Sequence, residues 1–184
     1  MSLTGKRIAV LVAEGVEELE YFVPFMRLRE ERADVFGAGL DLHTVKGKHG
    51  LEITPTVKVD TLKAADLSGL VIPGGWAPDK LRRSAAVTTL TKDMNTAGKP
   101  IGIICHGGLV AISAGIVTGK SVTGSLGIKD DLVNAGGKWV DAPAFVDGNQ
   151  VWGRVVDDIP DFCRELVEAL TTPTSTGEHA TSLR

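Results

Sequence analysis

Apolar residues recur along this chain in blocks, alternately of strand type and of helix type. Arg7 to Ala13 (RIAVLVA) is a Val- and Ile-rich run of strand length, and its unbroken apolar character predicts a strand buried on both faces of a parallel sheet. From Glu17 to Arg32, Leu19, Phe22, Val23, Met26 and Leu28 fall at helical spacing. Pro24 lies inside that pattern and predicts a kink or a late helix start. Ala33 to Gly39 reads as a second short strand, and Leu42 to Val59 alternates loosely around Gly47 and Gly50, as strands joined by turns do. A short helix is expected from Thr61 to Asp66, a buried strand from Leu70 to Pro73 and a helix from Asp79 to Ala97. Pro100 to Ile104 predicts a strand and Gly107 to Ala114 a helix, and the alternation continues from Ser121 to Val140. Phe145 to Val155 predicts a hairpin turning at Asp147-Gly148-Asn149, and Asp158 to Leu170 a closing amphipathic helix. Strands alternating with helices imply an α/β fold, with a mostly parallel sheet covered by helices on both faces.

The chain has 184 residues, enough for one domain with a proper core. That domain is expected to span 1–171. The tail, 172–184, is polar and aperiodic and is expected to be disordered. Net charge is −3 and basic residues never cluster beyond a pair, which argues against a nucleic-acid partner. No apolar run approaches the roughly 20 residues that span a bilayer, so no membrane partner is expected. The N-terminus lacks the pattern of an export signal, and the cytoplasm is the expected location. The two cysteines, Cys105 and Cys163, form no C-x-x-C pair, so neither a disulfide framework nor a cysteine zinc site is expected. Cys163 falls on the closing helix and is expected to be core.

Cys105 carries the strongest chemical signal. In KPIGIICHGG a purely apolar strand stops at the cysteine, and Gly107-Gly108 lets the chain turn sharply into a helix. This is the layout of a nucleophile elbow. The amino end of the following helix is expected to lower the thiol pKa and to offer an oxyanion hole from its N–H groups. His106 adjoins the thiol and is a candidate base. Parallel strands deliver their carboxyl ends to one edge of a sheet, which brings two further segments to Cys105. One is Glu14 to Glu20, where Glu17 is the best candidate for a carboxyl group facing the cleft. A carboxyl held there must be protonated or share a proton with the sulfur. The other is Pro73 to Arg83, where Gly74 and Gly75 permit close backbone approach and Trp76 is a candidate ligand wall. Asp79, preceded by Pro78, reads equally as a first-turn acid of the next helix.

Glu17 in EGVEELE, Pro73-Gly74-Gly75, Ile104 to Gly107 (ICHG) and Ile128 to Gly136 (IKDDLVNAG) together resemble the ThiJ/PfpI superfamily, and its PfpI-like branch most closely, along nearly all of 6–171. The resemblance implies a flavodoxin-like three-layer sandwich with Cys105 on a strained elbow and Glu17 hydrogen-bonded to its sulfur. It implies that His106 takes its acidic partner, Asp79, from a neighbouring subunit, and hence a homo-oligomer with the active site at the interface. Gly108 departs from the Pro common in relatives, which predicts a looser helix start.

Three functions follow as alternatives. The first is a cofactor-free and metal-free stress-protection enzyme of glyoxalase or deglycase type, acting on small reactive carbonyls. The second is an intracellular cysteine peptidase or amidase, with Cys105, His106 and Asp79 as its triad. The third is a redox-sensing stress protein or chaperone without turnover, acting through oxidation of Cys105. A class I glutaminase is disfavoured, because its late His-x-Glu is missing: the late histidine here, His179, is followed by Ala and Thr.

Overall fold

The computed structural model describes residues 2–172. The expected disorder of 173–184, and His179 with it, lie outside the described residues. In chain order the elements are β1 (Arg7–Val12), α1 (Glu18–Glu30), β2 (Asp34–Gly39), β3 (Val45–Lys46), β4 (Glu52–Ile53), β5 (Val57–Lys58), β6 (Gly69–Ile72), α2 (Ala77–Leu81) and α3 (Ala85–Thr96). They continue with β7 (Ile101–Ile104), α4 (Gly108–Ser113), β8 (Ser121–Val122), α5 (Lys129–Asn134), β9 (Lys138–Trp139), β10 (Ala144–Asp147), β11 (Gln150–Gly153) and α6 (Ile159–Thr171).

The main sheet has the order β10-β11-β7-β6-β1-β2-β5. Every pairing in it is parallel except that of β10 with β11, the predicted hairpin at one edge. The central strands are buried along their length apart from Arg7 at the start of β1, as their apolar runs require. Helices cover the sheet in two groups. One group joins α1 to α6, and the other gathers α2, α3 and α5 around α4; β7 is touched by α6 and by α3 and α4. This is the flavodoxin-like three-layer sandwich. β1 leads to β2 on one side and pairs with β6 on the other, so the chain reverses direction beside the carboxyl end of β1. Such switch points are where open α/β sheets bind ligands.

Several local expectations change. α1 begins at Glu18 and runs through Pro24 without a late start. It buries Glu18, Glu20, Tyr21, Pro24 and Leu28, and leaves Leu19, Val23 and Met26 exposed. The helix expected from Asp79 to Ala97 is two helices, α2 and α3, separated at Arg82 to Ser84, where Ser84 is extended ahead of α3. Serine is a preferred residue immediately before a helix, although the Ser84 hydroxyl makes no bond to the α3 amides. The helix expected from Thr61 to Asp66 is two single 3-10 turns. Cys163 is buried, as expected.

Candidate active site

The three predicted strand ends do converge. The loop after β1 and the loop after β6 are stitched together by backbone: Glu17 N–H donates to Gly74 O at 3.2 Å and Trp76 N–H to Gly15 O at 2.8 Å. Gly75 sits at φ +74°, and a Cβ there would collide with the Glu17 amide and the Gly15 carbonyl. Both its conformation and its surroundings therefore demand glycine.

Cys105 follows β7 directly at φ +57°, in the left-handed region. A non-glycine residue there costs of order 1–3 kcal/mol, a strain typical of functional sites. It is the predicted elbow. The turn tightens into a 3-10 segment at 105–107 before α4 begins at Gly108, which has ordinary helical angles. Gly107 packs flat against the Ile72 carbonyl of β6, and a Cβ would strike that oxygen. Gly107→Ala is expected to destabilise the fold by about 1–3 kcal/mol, as overpacking of rigid backbone does. Urea unfolding measures it; a midpoint equal to that of the unsubstituted chain would contradict the account.

The carboxyl group at the sulfur is Glu20, not Glu17. Glu20 is fully buried, its Oε2 accepts the Gly74 N–H at 2.7 Å, and the carboxyl group shares a hydrogen bond with the Cys105 thiol. Among the described residues Oε1 has no nitrogen or oxygen donor. Glu17 lines the same cavity but pairs with Lys48, whose Nζ lies 2.9 Å from Oε2. The correction has a geometric cause. α1 starts one residue after Glu17, so Glu20 follows it by three helical positions and lies on the same face. The other acids of this segment hold the β3–β4 hairpin. Glu14 accepts the Lys46 N–H at 2.8 Å. Glu18 accepts the N–H of His49 at 2.6 Å and of Leu51 at 3.3 Å, and lies 2.9 Å from His49 Nδ1. Burial would raise the Glu18 carboxyl, but these donors outweigh it and hold it below its ordinary range. The ligand atoms of Glu17, Glu18 and His49 lie within 4.8 Å of one another, as metal ligands would. Lys48 and the hairpin amides already occupy these carboxylates, and we read the cluster as a tether that fixes Lys48 at the cavity.

The electrostatics of the pair run opposite to the simple elbow expectation. Burial and the Glu20 charge push the Cys105 thiol up to about 12, against the N–H groups of His106 and Gly75. α4 is only six residues long, too little helix to reverse this. Burial likewise raises Glu20 to about 7, with the Gly74 and Cys105 hydrogen bonds opposing. The site therefore holds a thiol beside a base tuned to neutral pH. His106 Nδ1 lies 3.3 Å from the sulfur. Burial, then Lys48, lower the pKa of His106, so the ring is neutral at pH 7. Lys48 also favours ionised Glu20. Lys48→Met is therefore expected to move the pH limb set by Glu20 to values above 7. A rate-against-pH profile reads this directly, and an unmoved limb would show that the ammonium does not act on the pair.

Trp76 stands at the cavity as expected, 66% exposed. Asp79 does not line this cavity, and within its own chain it pairs with Arg83 on the exposed side of α2. Sequence reasoning missed Glu20, Lys48, Ser125 and Asp157, all of which line the cavity of about 260 Å³ beside Cys105.

The model of the DJ-1/PfpI family matches residues 6–169, which include every residue of this site. The chain belongs to the DJ-1/PfpI family. Among its DJ-1/PfpI relatives is a Pyrococcus horikoshii protein named a deglycase, 38% identical over 89% of this chain and 99% of that one. Another, from Bacillus subtilis, is named a putative cysteine protease and is 36% identical over 90% of this chain and 99% of that one. The crystal structure of Drosophila melanogaster DJ-1beta superposes with a TM-score of 0.84 at 29% identity, over 92% of this chain and 91% of that one. Among the described residues no helix is long and apolar enough to cross a membrane.

Proposed function

We propose that this chain is a cofactor-free enzyme that converts reactive dicarbonyls and their adducts to hydroxy acids, a glyoxalase or deglycase. The observation that carries this reading is the buried Glu20 carboxyl group on the Cys105 thiol, raised to about 7. With methylglyoxal, sulfur adds to the aldehyde carbon while the thiol proton passes through Glu20 to the carbonyl oxygen. A hemithioacetal forms. Ionised Glu20 then takes the proton from the former aldehyde carbon, and the electron pair moves to the ketone oxygen to give an enediolate. Glu20 returns that proton to the second carbon while the hydroxyl proton of the first carbon passes to the oxygen of the second, which yields the thioester of lactate. One carbon is oxidised and its neighbour reduced, so no external oxidant is consumed. Water, activated by neutral His106, cleaves the thioester to lactate and regenerates the thiol. With an amine adduct the first step differs: the C–S bond forms, the C–N bond breaks, and the thiol proton goes to the departing nitrogen. The deglycase name of the Pyrococcus relative supports this reading.

A peptidase is the second reading, favoured by the 3.3 Å contact of His106 with the sulfur and by the name of the Bacillus relative. It requires an acid for His106. Asp79 of a neighbouring subunit is our proposal for that acid, and it carries with it a homo-oligomer whose sites lie at the interface. Proton NMR of the protein with methylglyoxal, run beside a fluorogenic peptide assay, separates the two readings. Lactate formation supports the first. Peptide cleavage without lactate overturns it, and peroxide-dependent modification of Cys105 with neither activity points to a redox sensor.

A further inference from the structure

The enediolate of the proposed reaction carries its negative charge on the oxygen of the second carbon, one bond beyond the carbon joined to sulfur. The N–H groups of His106 and Gly75 meet the sulfur itself. The farther oxygen needs a donor of its own, because an oxygen anion inside a protein is held by fixed donors and charges. Among the described residues Lys48 is the only cation lining this cavity, since the His106 ring is neutral. Its backbone is fixed from both sides. The Lys48 N–H donates to Val16 O, in the loop after β1, at 2.9 Å. The Lys46 N–H donates to Glu14, and those of His49 and Leu51 to Glu18. A Cβ on Gly47 would collide with the Glu18 side chain, so the turn of the hairpin lies against the start of α1. At the cavity, Glu17 Oε2 accepts one N–H of the ammonium at 2.9 Å. An ammonium has three such groups, and among the described residues no acceptor takes the other two. The Lys48 charge acts on both Glu20 and Cys105, the groups between which the proton moves.

We propose that Lys48 is a further catalytic residue, whose ammonium donates a hydrogen bond to the enediolate oxygen and holds the charge that forms there. The role rests on the function proposed above. When Glu20 takes the carbon proton, the C–H electron pair becomes the carbon–carbon double bond and the ketone π pair moves to its oxygen. The negative charge thus passes from the Glu20 carboxylate to that oxygen, beside the ammonium. Lys48 keeps its proton throughout, and the oxygen later receives the hydroxyl proton of the first carbon. Glu17 balances the ammonium before substrate enters and holds it at a fixed position, so the donor is in place when the charge develops.

Lactate formation from methylglyoxal by the whole chain tests this, with each variant measured on the pH plateau above its Glu20 limb so that the shift of that limb is kept apart. Lys48→Met is expected to lower kcat about 10²-fold, the scale of one lost oxyanion donor. KM is expected to change by less than about threefold, because the charged oxygen exists only after substrate is bound. Lys48→Met also leaves Glu17 buried without its partner, which is a separate source of loss. The double variant Glu17→Gln/Lys48→Met removes the pair together, and its kcat is expected to stay as low. Lys48→Arg keeps a charged donor and is expected to recover kcat to within about tenfold of the unsubstituted chain. Recovery of kcat in the double variant would reduce Lys48 to a counter-ion for Glu17. That result, or a Lys48→Met loss confined to KM, overturns the catalytic role of Lys48 and leaves the enzyme reading intact. No lactate from the unsubstituted chain overturns the enzyme reading, and the role of Lys48 with it.

Discussion

Replacing Cys105 by alanine is expected to lower kcat/KM for methylglyoxal at least about 10³-fold, the scale on which removal of a covalent nucleophile acts. Among the described residues no other thiol is placed to carry the reaction. Cys163 is buried on α6, and burial pushes its thiol up to about 11. His106 is neutral and has no path to a covalent adduct with the aldehyde that would continue to a thioester. The loss should appear in kcat, because the lost bond exists only after substrate is bound. Fold integrity is the control, since alanine inherits the left-handed backbone of position 105 and retains its strain. Lactate NMR and urea unfolding on the same preparation read both quantities. Lactate formation within tenfold of the unsubstituted rate would exclude Cys105 as the nucleophile.

Glu20→Gln has the second large effect, in two directions. Activity is expected to fall about 10²–10⁴-fold, the usual contribution of a positioned acid–base group. Glutamine keeps an acceptor for the Gly74 N–H but cannot move a proton between carbons. Stability is expected to move the other way. Glu20 has a pKa of about 7 in the fold and an ordinary value of 4.5. The folded chain therefore holds a proton that the unfolded chain releases between these values. That contribution is fully present below 4.5 and is lost as pH rises toward 7. Above pH 7 the buried charge opposes folding, and Glu20→Gln relieves up to about 3 kcal/mol of this penalty. Urea unfolding at pH 5 and pH 8 is the check. Glu20→Gln should gain on the original chain only at the higher pH. Equal stability at both would mean that Glu20 is not a buried base. Glu17→Gln should give a smaller activity loss than Glu20→Gln, because Glu17 is joined to Lys48 rather than to the thiol.

The layout of this fold was legible because parallel strands buried on both faces leave long apolar runs. RIAVLVA, LVIP and the run before Cys105 all became central strands. Cys105 was legible because an elbow needs glycines immediately after the nucleophile, and sequence records them. The identity of the acid was not, since four glutamates fall within seven residues. Choosing among them requires the first helical residue to be known exactly, and Pro24 argued for a later one. With α1 starting at Glu18, three-residue spacing takes the carboxyl group from Glu17 to Glu20. Lys48 was hidden for a different reason. It reaches the site through a two-stranded hairpin held by Glu14 and Glu18, a tertiary contact with no local pattern. The break of Asp79 to Ala97 into two helices carried only a serine as its signal. The thiol pKa was misjudged because a helix terminus is visible in sequence, whereas burial and an ionised neighbour are properties of the packed site.

The central claim is that Cys105 and Glu20 exchange one proton near neutral pH. Its most direct test is the rate of Cys105 alkylation by iodoacetamide from pH 5 to 10, read by intact mass in the Cys163→Ala chain with and without Glu20→Gln. With Glu20 present, the rate should rise to a shoulder through an inflection near pH 7, as the carboxylate becomes able to take the thiol proton. With Glu20→Gln the inflection should vanish, leaving only the climb of thiol ionisation in alkali. An inflection near 7 that survives Glu20→Gln, or its absence from the chain that retains Glu20, would contradict the account.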